Sequence, residues 1–225
     1  MRRRPPLEVR DLWVGDPDDP ACRGVSLVAP AGVVVVVLGG PGAGKSQLLR
    51  CLGLDFPPLS GSILLHGVDI AGVSPDRRRR LRTDAIELVH PPVAGNGPDP
   101  TVPAPAAGVV LGTARRTVPV AGMRQRIQIA KALTRRTDVL LLDEPLLGVE
   151  EYAGERIVEL IDRLRANGDT AVVAASRDAG VAELLADEVV VLDDGQVVEA
   201  GRIDDVLGNP RHPRTADLLG GRRTA

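Results

Sequence analysis

Aromatic side chains are nearly missing from this chain: Trp13, Phe56 and Tyr152 are the three among 225 residues. Proteins that hold single-stranded nucleic acid stack bases on such rings, so that class is excluded. A basic face for duplex phosphates is lacking too, because the formal net charge is -2. Cysteine is scarce. Cys22 and Cys51 stand alone, without metal-binding or redox spacing, and are expected to be reduced packing residues of a cytoplasmic protein. No apolar run approaches the length of a membrane span; the longest covers residues 33–38. The basic start Met1-Arg2-Arg3-Arg4-Pro5-Pro6 is not followed by the apolar segment a signal peptide needs. Lysine is the rarest of the charged residues: of 28 basic residues, Lys45 and Lys131 are the two lysines. With abundant Ala, Val, Asp and Pro, this skew has the character of a coding bias. A lysine kept against it marks a position where arginine does not serve.

The remaining residues carry clear periodicity. Residues 7–10 and 25–28 have the pattern of short strands. Residues 33–38 are apolar without alternation and bounded by glycine, as in a strand buried on both faces. A helix is expected from Lys45 to about Leu54, a strand and turn over 61–67, and a helix then a strand over 76–88. The arginines at 77–80 and 82 are expected to form a solvated face. Seven prolines between 91 and 120 exclude regular helix there, so this stretch is expected to be irregular. A helix over 124–133, a buried strand over 139–142, an amphipathic helix over 155–165 and a buried strand over 171–175 follow. Asp194-Gly195 between two apolar runs is a hairpin signal. Strands alternating with helices predict an α/β fold with a mainly parallel core.

Gly39-Gly40-Pro41-Gly42-Ala43-Gly44-Lys45-Ser46 has the P-loop pattern G-x-x-x-x-G-K-[ST]. Glycines let successive backbone N–H groups turn toward one anion, and the helix that follows adds its N-terminal dipole. Lys45 brings a compact charge to the β- and γ-phosphates, and the Ser46 hydroxyl is a ligand for Mg²⁺. An arginine fork has different geometry and reach, which accounts for a lysine retained here. The nucleotide-binding set expected is therefore Gly39, Gly40, Pro41, Gly42, Ala43, Gly44, Lys45, Ser46 and Gln47. Val139-Leu140-Leu141-Leu142-Asp143-Glu144-Pro145 is the matching second element. A buried strand delivers Asp143 toward the metal, and Glu144 behind it is placed to orient and deprotonate a water.

With these motifs the chain resembles the ATP-binding subunits of ABC transporters over nearly its whole length, as a P-loop NTPase core with an antiparallel β subdomain. Residues 124–133, RQRIQIAKAL, are similar to the helix after the family signature, and the Asp194-Gly195 hairpin with Glu199-Ala200-Gly201 also matches. Residues 61–82 resemble the lipoprotein-releasing and macrolide-export branch, whereas 209–215 resemble the tails of peptide and amino-acid importers. The two hints conflict, and no substrate follows. The resemblance implies ATP and Mg²⁺ as ligands, a head-to-tail homodimer or heterodimer with a second ATP-binding subunit, and membrane permease subunits as partners. It further implies a cytoplasmic protein held peripherally at the inner face of the membrane. One domain is expected over 1–225, with 1–90 and 134–225 as the core. Residues 91–133 form a reduced helical and signature region.

Against the family pattern the departures are specific. The signature, usually L-S-G-G-Q, falls on Pro119-Val120-Ala121-Gly122-Met123, where only Gly122 survives. Asp16 occupies the place of an adenine-stacking tyrosine, with Trp13 near enough in sequence to substitute. His90 replaces the Q-loop glutamine, Glu150 the D-loop aspartate, and Arg177 the switch histidine. Arginine is permanently charged and exchanges no proton. The expectation is an ATP-binding subunit with impaired hydrolysis. A non-catalytic regulatory or assembly module remains the alternative. A guanine-specific enzyme is disfavoured by the absence of N-K-x-D.

Overall fold

The structure, a computed structural model, describes residues 4–91 and 120–220. β1 (Leu7–Gly15), β2 (Pro20–Ala29) and β3 (Val34–Leu38) lead into α1 (Lys45–Leu52). β4 (Ser60–Leu65), β5 (Val68–Asp69), α2 (Pro75–Asp84) and β6 (Ile86–Val89) follow. Then come α3 (Val120–Arg135), β7 (Val139–Asp143), α4 (Glu151–Asn167) and β8 (Ala171–Ser176). The chain continues through α5 (Ala179–Leu185), β9 (Glu188–Asp193), β10 (Gln196–Arg202), α6 (Ile203–Gly208) and α7 (Pro213–Gly220).

Six strands form the central sheet in the order β10-β9-β3-β8-β7-β6, and β10 alone is antiparallel to its neighbour. A second, antiparallel sheet has the order β2-β1-β4-β5. This is the expected α/β architecture. The apolar run of β3 now has its reason. Val35 and Val37 pack with α1 and the antiparallel sheet, while Val34, Val36 and Leu38 pack with α3, α4 and α5. A strand with helices or a sheet on both sides has no polar face to alternate. β1, between β2 and β4 in its own sheet, keeps the two-residue period there, burying Leu12 and Val14 and leaving Trp13 outward.

Helix limits follow local chemistry. Ser74 caps α2 by accepting from the Arg77 N–H at 3.4 Å, Pro75 takes the first turn, and no α2 residue is buried. Its arginines are thus the solvated face expected. α4 buries Ile157, Ile161 and Leu164 as one stripe, leaves Leu160 half-buried, and ends at Gly168 with φ 70°. α1 is shorter than expected, since Gly53 closes it and Leu54 has φ 61°. α3 is longer, beginning at Val120 rather than Arg124. The rest of the proline-rich stretch expected to be irregular, residues 92–119, lies outside the described residues. α5, α6 and α7 went unforeseen because each is too short to repeat an apolar period.

Candidate functional site

The two central strands β3 and β7 end on the same edge of the sheet, with β8 between them. Their registers align Leu38 with Ser176, and Asp143 with Ala175. Every chemical group anticipated from the sequence core therefore emerges along one edge, at the carboxyl ends of parallel strands, where α/β sheets bind ligands.

Leaving β3, the Gly39 N–H donates to the Ser176 carbonyl at 3.2 Å, and the Ala43 N–H to the Gly40 carbonyl at 3.3 Å. Gly44, at φ 94° and ψ -2°, precedes α1 without capping it through a side chain, and the first turn holds no acidic residue. Those helix amides stay available to an anion. Space around the loop is uneven in a telling way. A methyl group on Gly40 or Gly42 would meet nothing within 4 Å, whereas one on Gly39 or Gly44 would run into the Leu192 or Ala21 carbonyl oxygen. The loop is thus open on the side facing the strand ends and tightly backed behind. An open ring of backbone donors, a lysine and no competing acid fits a polyphosphate.

Lys45 is buried and donates from Nζ to the carbonyls of Gly39 at 2.7 Å and Gly40 at 2.9 Å. Burial pushes its pKa down, and the charge of Arg177 adds to this, against the opposing pull of Glu144 and Asp143. Ser46 donates from Oγ to Asp143 Oδ1 at 3.1 Å, so the two expected metal ligands already touch. Oxygen donors of this kind, one carboxylate and one hydroxyl beside phosphates, suit Mg²⁺. Gln47 is exposed on the same turn.

Asp143 is almost wholly buried, and burial raises its pKa against the Ser46 hydrogen bond and the charges of Lys45 and His90. Burial likewise raises the pKa of Glu144, opposed by Lys45 and by the Arg177 backbone N–H, which donates to Glu144 Oε2 at 3.4 Å. Glu144 sits at φ 48°, unusual for a residue with a side chain, and its N–H is held by the Ala175 carbonyl at 3.0 Å. The carboxylate is thereby turned toward Arg177 and away from the sheet.

The charges of Lys45, Asp143 and the half-buried Glu144 are all disfavoured by desolvation in the ligand-free site, and the two carboxyls give a pH signature. A carboxyl that binds its proton more tightly folded than unfolded makes stability fall as pH rises from its ordinary value, 3.8 for Asp143 and 4.5 for Glu144, through its raised one. Glu144→Gln removes one contribution. The expected outcome is a urea midpoint for this variant that gains on the wild type across that window and keeps a constant advantage above it. Denaturation curves of ligand-free protein at a series of pH values check this.

His90 lies one residue beyond β6, whose Val89 pairs with Leu142, and so it stands beside Asp143 on the strand edge. Glu150 is exposed at the start of α4. Val120, Ala121, Gly122 and Met123 form the first turn of α3; Pro119 lies outside the described residues. Trp13 takes the face of β1 opposite to Val14. The pleat sends Val14 inward opposite Cys22, whose Sγ donates to the Gly44 carbonyl at 3.5 Å, and turns Trp13 to the other face. Asp16 spends its carboxylate on its own turn, accepting from the Asp18 N–H at 2.9 Å.

The support behind the loop was not visible in the sequence. The Gly195 N–H donates to the Ala43 carbonyl at 3.3 Å, the Arg23 N–H donates to the Gly195 carbonyl at 2.8 Å, and Arg23 pairs with Asp194 at 2.9 Å. Cys22 and Cys51 are both buried and unpaired, and burial pushes their thiols up to about 11 and about 12. They are inert packing under the loop.

Comparison with known proteins was made on this basis. The family described as ABC transporter matches residues 22–90. A di/tripeptide transport ATP-binding protein of Pseudomonas aeruginosa is 31% identical over 93% of this chain and 73% of its own length. A pyoverdine export ATP-binding/permease protein of the same species is 30% identical over 93% of this chain, which spans 35% of that larger protein. Among solved structures, cbiO1 of Clostridium perfringens, part of an ABC transporter complex, superposes with a TM-score of 0.74. It is 23% identical, and the match covers 96% of this chain and 99% of that one. At that identity the likeness is one of fold.

Proposed function

The chain belongs to the family of ABC transporter ATP-binding proteins, and from that premise we propose that it is the ATP-binding subunit of a transporter, with weakened hydrolysis. The observation that carries the reading is the site edge itself. A buried lysine, a hydroxyl already bonded to a buried aspartate and a second carboxylate share one strand edge with an uncapped helix N-terminus.

In this reading the N–H groups of Gly40, Gly42 and Gly44, the first amides of α1 and the Lys45 ammonium hold the phosphates. Lys45 exchanges its bonds to the Gly39 and Gly40 carbonyls for phosphate oxygens, which offsets part of the cost of its burial. Ser46 and Asp143 hold Mg²⁺, which when bound neutralises charge on the terminal phosphates. Glu144, with its pKa raised by burial, orients the attacking water and takes its proton. Position 177 holds an arginine, which exchanges no proton, and the signature offered to a partner retains a single glycine, Gly122. ATP binding is therefore supported more strongly than turnover.

Among the described residues no helix is long and apolar enough to cross a membrane. Family members work as dimers with membrane permeases. We place this chain in the same arrangement, at the inner face of the membrane, paired with itself or with a second ATP-binding subunit. A non-catalytic module that assembles or regulates such a complex is the second reading, favoured by Arg177 and the reduced signature. Turnover that appears on adding a permease and an intact ATP-binding subunit separates the two.

The experiment that tests ATP binding is calorimetric titration of the full chain with Mg-ATP, beside Lys45→Ala. Loss of a buried, hydrogen-bonded cation is expected to weaken binding by at least about 100-fold. Equal affinity in the two proteins contradicts the reading.

A further inference from the structure

We propose that the arginine-rich outer face of α2 docks on an anionic phospholipid surface, an inference that rests on the placement at the inner face of the membrane given above. α2 carries five arginines, at 77–80 and 82, against two aspartates, in a chain whose net charge is -2. The aspartates stand near its ends. Asp76 lies in the first turn, where a carboxylate suits the helix dipole, and Asp84 is the last residue. The positive charge is concentrated between them.

The surroundings sort the five arginines. Arg78 and Leu81, one turn apart, are half-buried, and the Arg78 charge is felt at the Cys51 thiol of α1. Arg82 is already committed, sharing Asp55 with Arg50 at 2.9 and 3.2 Å. Arg77, Arg79 and Arg80 remain. All three are exposed, and their side chains pair with no carboxylate among the described residues. Such crowding brings the helix no stability. Like charges three or four residues apart repel, and 77 with 80, 78 with 82, and 79 with 82 all stand at those spacings. No residue of α2 is fully buried to compensate. A coding bias explains arginine in place of lysine, but not four in succession.

The form of the patch selects its partner. Successive helical residues point about 100° apart, so these guanidiniums fan over a convex surface instead of converging on one point. Converging forks would clasp a single shaped anion, whereas a fan suits many separate phosphates that move laterally in a plane. Each arginine near such a surface strengthens attraction about five-fold, so three give on the order of 100-fold. That is enough to orient a subunit against the bilayer beside its permease, and too little for permanent anchoring. The patch is also remote from the nucleotide. α1 starts at the P-loop, and Arg50, which shares Asp55 with α2, lies in its last turn.

Co-sedimentation of the full chain with vesicles tests the proposal, using phosphatidylcholine alone and phosphatidylcholine with about one third phosphatidylglycerol. Binding to the mixed vesicles alone is expected, and its loss at about 1 M salt, where the screening length falls to about 3 Å. The combined variant Arg77→Gln, Arg79→Gln, Arg80→Gln is expected to bind about 30–100-fold more weakly, and the corresponding lysine variant to stay within about threefold of wild type. Glutamine and lysine keep helix propensity, so neither variant is expected to melt earlier. A control that removes the same charge from exposed residues outside α2, Arg135→Gln, Arg163→Gln, Arg202→Gln, is expected to bind within about threefold of wild type. No preference for the mixed vesicles, an equal loss in the control, or uptake of soluble polyglutamate without vesicle binding overturns the inference. Mg-ATP affinity is expected to be unchanged in the α2 variants, and Lys45→Ala to lose ATP while keeping the vesicles. Failure of the nucleotide reading and failure of the lipid surface are thereby read separately.

Discussion

Gly44→Ala is expected to remove nucleotide binding and to destabilise the chain clearly more than Gly42→Ala, two residues away. Both glycines have positive φ, 94° and 78°, so a side chain at either position is strained by about 1–2 kcal/mol. The difference is what stands behind them. A methyl group at Gly44 collides with the Ala21 carbonyl and crowds Cys22 Sγ at 3.0 Å, while one at Gly42 meets open space. Ala21 and Cys22 belong to β2 and cannot retreat, because the Gly195 carbonyl accepts from the next N–H, that of Arg23, at 2.8 Å. Overpacking adds about 1–3 kcal/mol to the strain at Gly44. The loop would have to move toward the space that phosphate needs. Urea unfolding and ATP titration of the two variants measure both halves of the prediction; comparable stability losses would contradict the account of loop backing.

The second large effect concerns turnover. The chain alone is expected to hydrolyse ATP 10²–10⁴-fold more slowly than family members with intact motifs, the range associated with loss of one positioned acid or base. The P-loop, Ser46, Asp143 and Glu144 are in place, so the deficit does not arise in binding. On the proposed reading it is expected to arise at position 177, where a guanidinium stands in place of a group able to exchange a proton, and at the signature. Glu144→Gln is then expected to remove most of the residual rate, because the base is in place. Steady-state phosphate release at saturating Mg-ATP checks this. A rate matching intact members, and abolished by Glu144→Gln, contradicts it. Addition of an intact ATP-binding subunit is expected to raise turnover, since that subunit donates the signature this chain lacks.

Local chemistry made part of the site legible. A glycine-rich loop between an apolar strand and a helix declares itself because each requirement is met within eight residues, and Asp143 is found because a buried strand must end somewhere. The architecture followed from the unalternating runs at 33–38, 139–142 and 171–175, which demand cover on both faces. What was not legible depends on pairing. The face that Trp13 takes is one such case, because sequence distance does not encode which side of a strand a residue lies on, and the register of β1 against β2 shifts between Leu12 and Val14. The brace of Arg23, Asp194 and Gly195 joins segments far apart in the chain, and no local pattern announces it. The short helices α5, α6 and α7 are held by caps and tertiary contacts more than by periodicity; Asp178 caps α5, and Glu199 accepts from the Arg211 and His212 N–H groups just ahead of α7.

The sheet order bears on how the protein is made. β3, the strand that carries the P-loop, is flanked by β8 and β9, so neither neighbour exists before residue 171 has been synthesised. At translation speeds of about 5–20 residues per second, Val34–Leu38 waits on the order of ten seconds as an apolar segment with both backbone edges unpaired. Such a segment, free of proline and charge, is prone to pair with another nascent chain. The antiparallel sheet can form meanwhile, since β1, β2 and β4 all precede residue 66. By packing on Val35 and Val37 it can shelter one face of the strand until its partners arrive. Early closure of the antiparallel sheet is thus expected to lower the tendency of the nascent P-loop strand to aggregate.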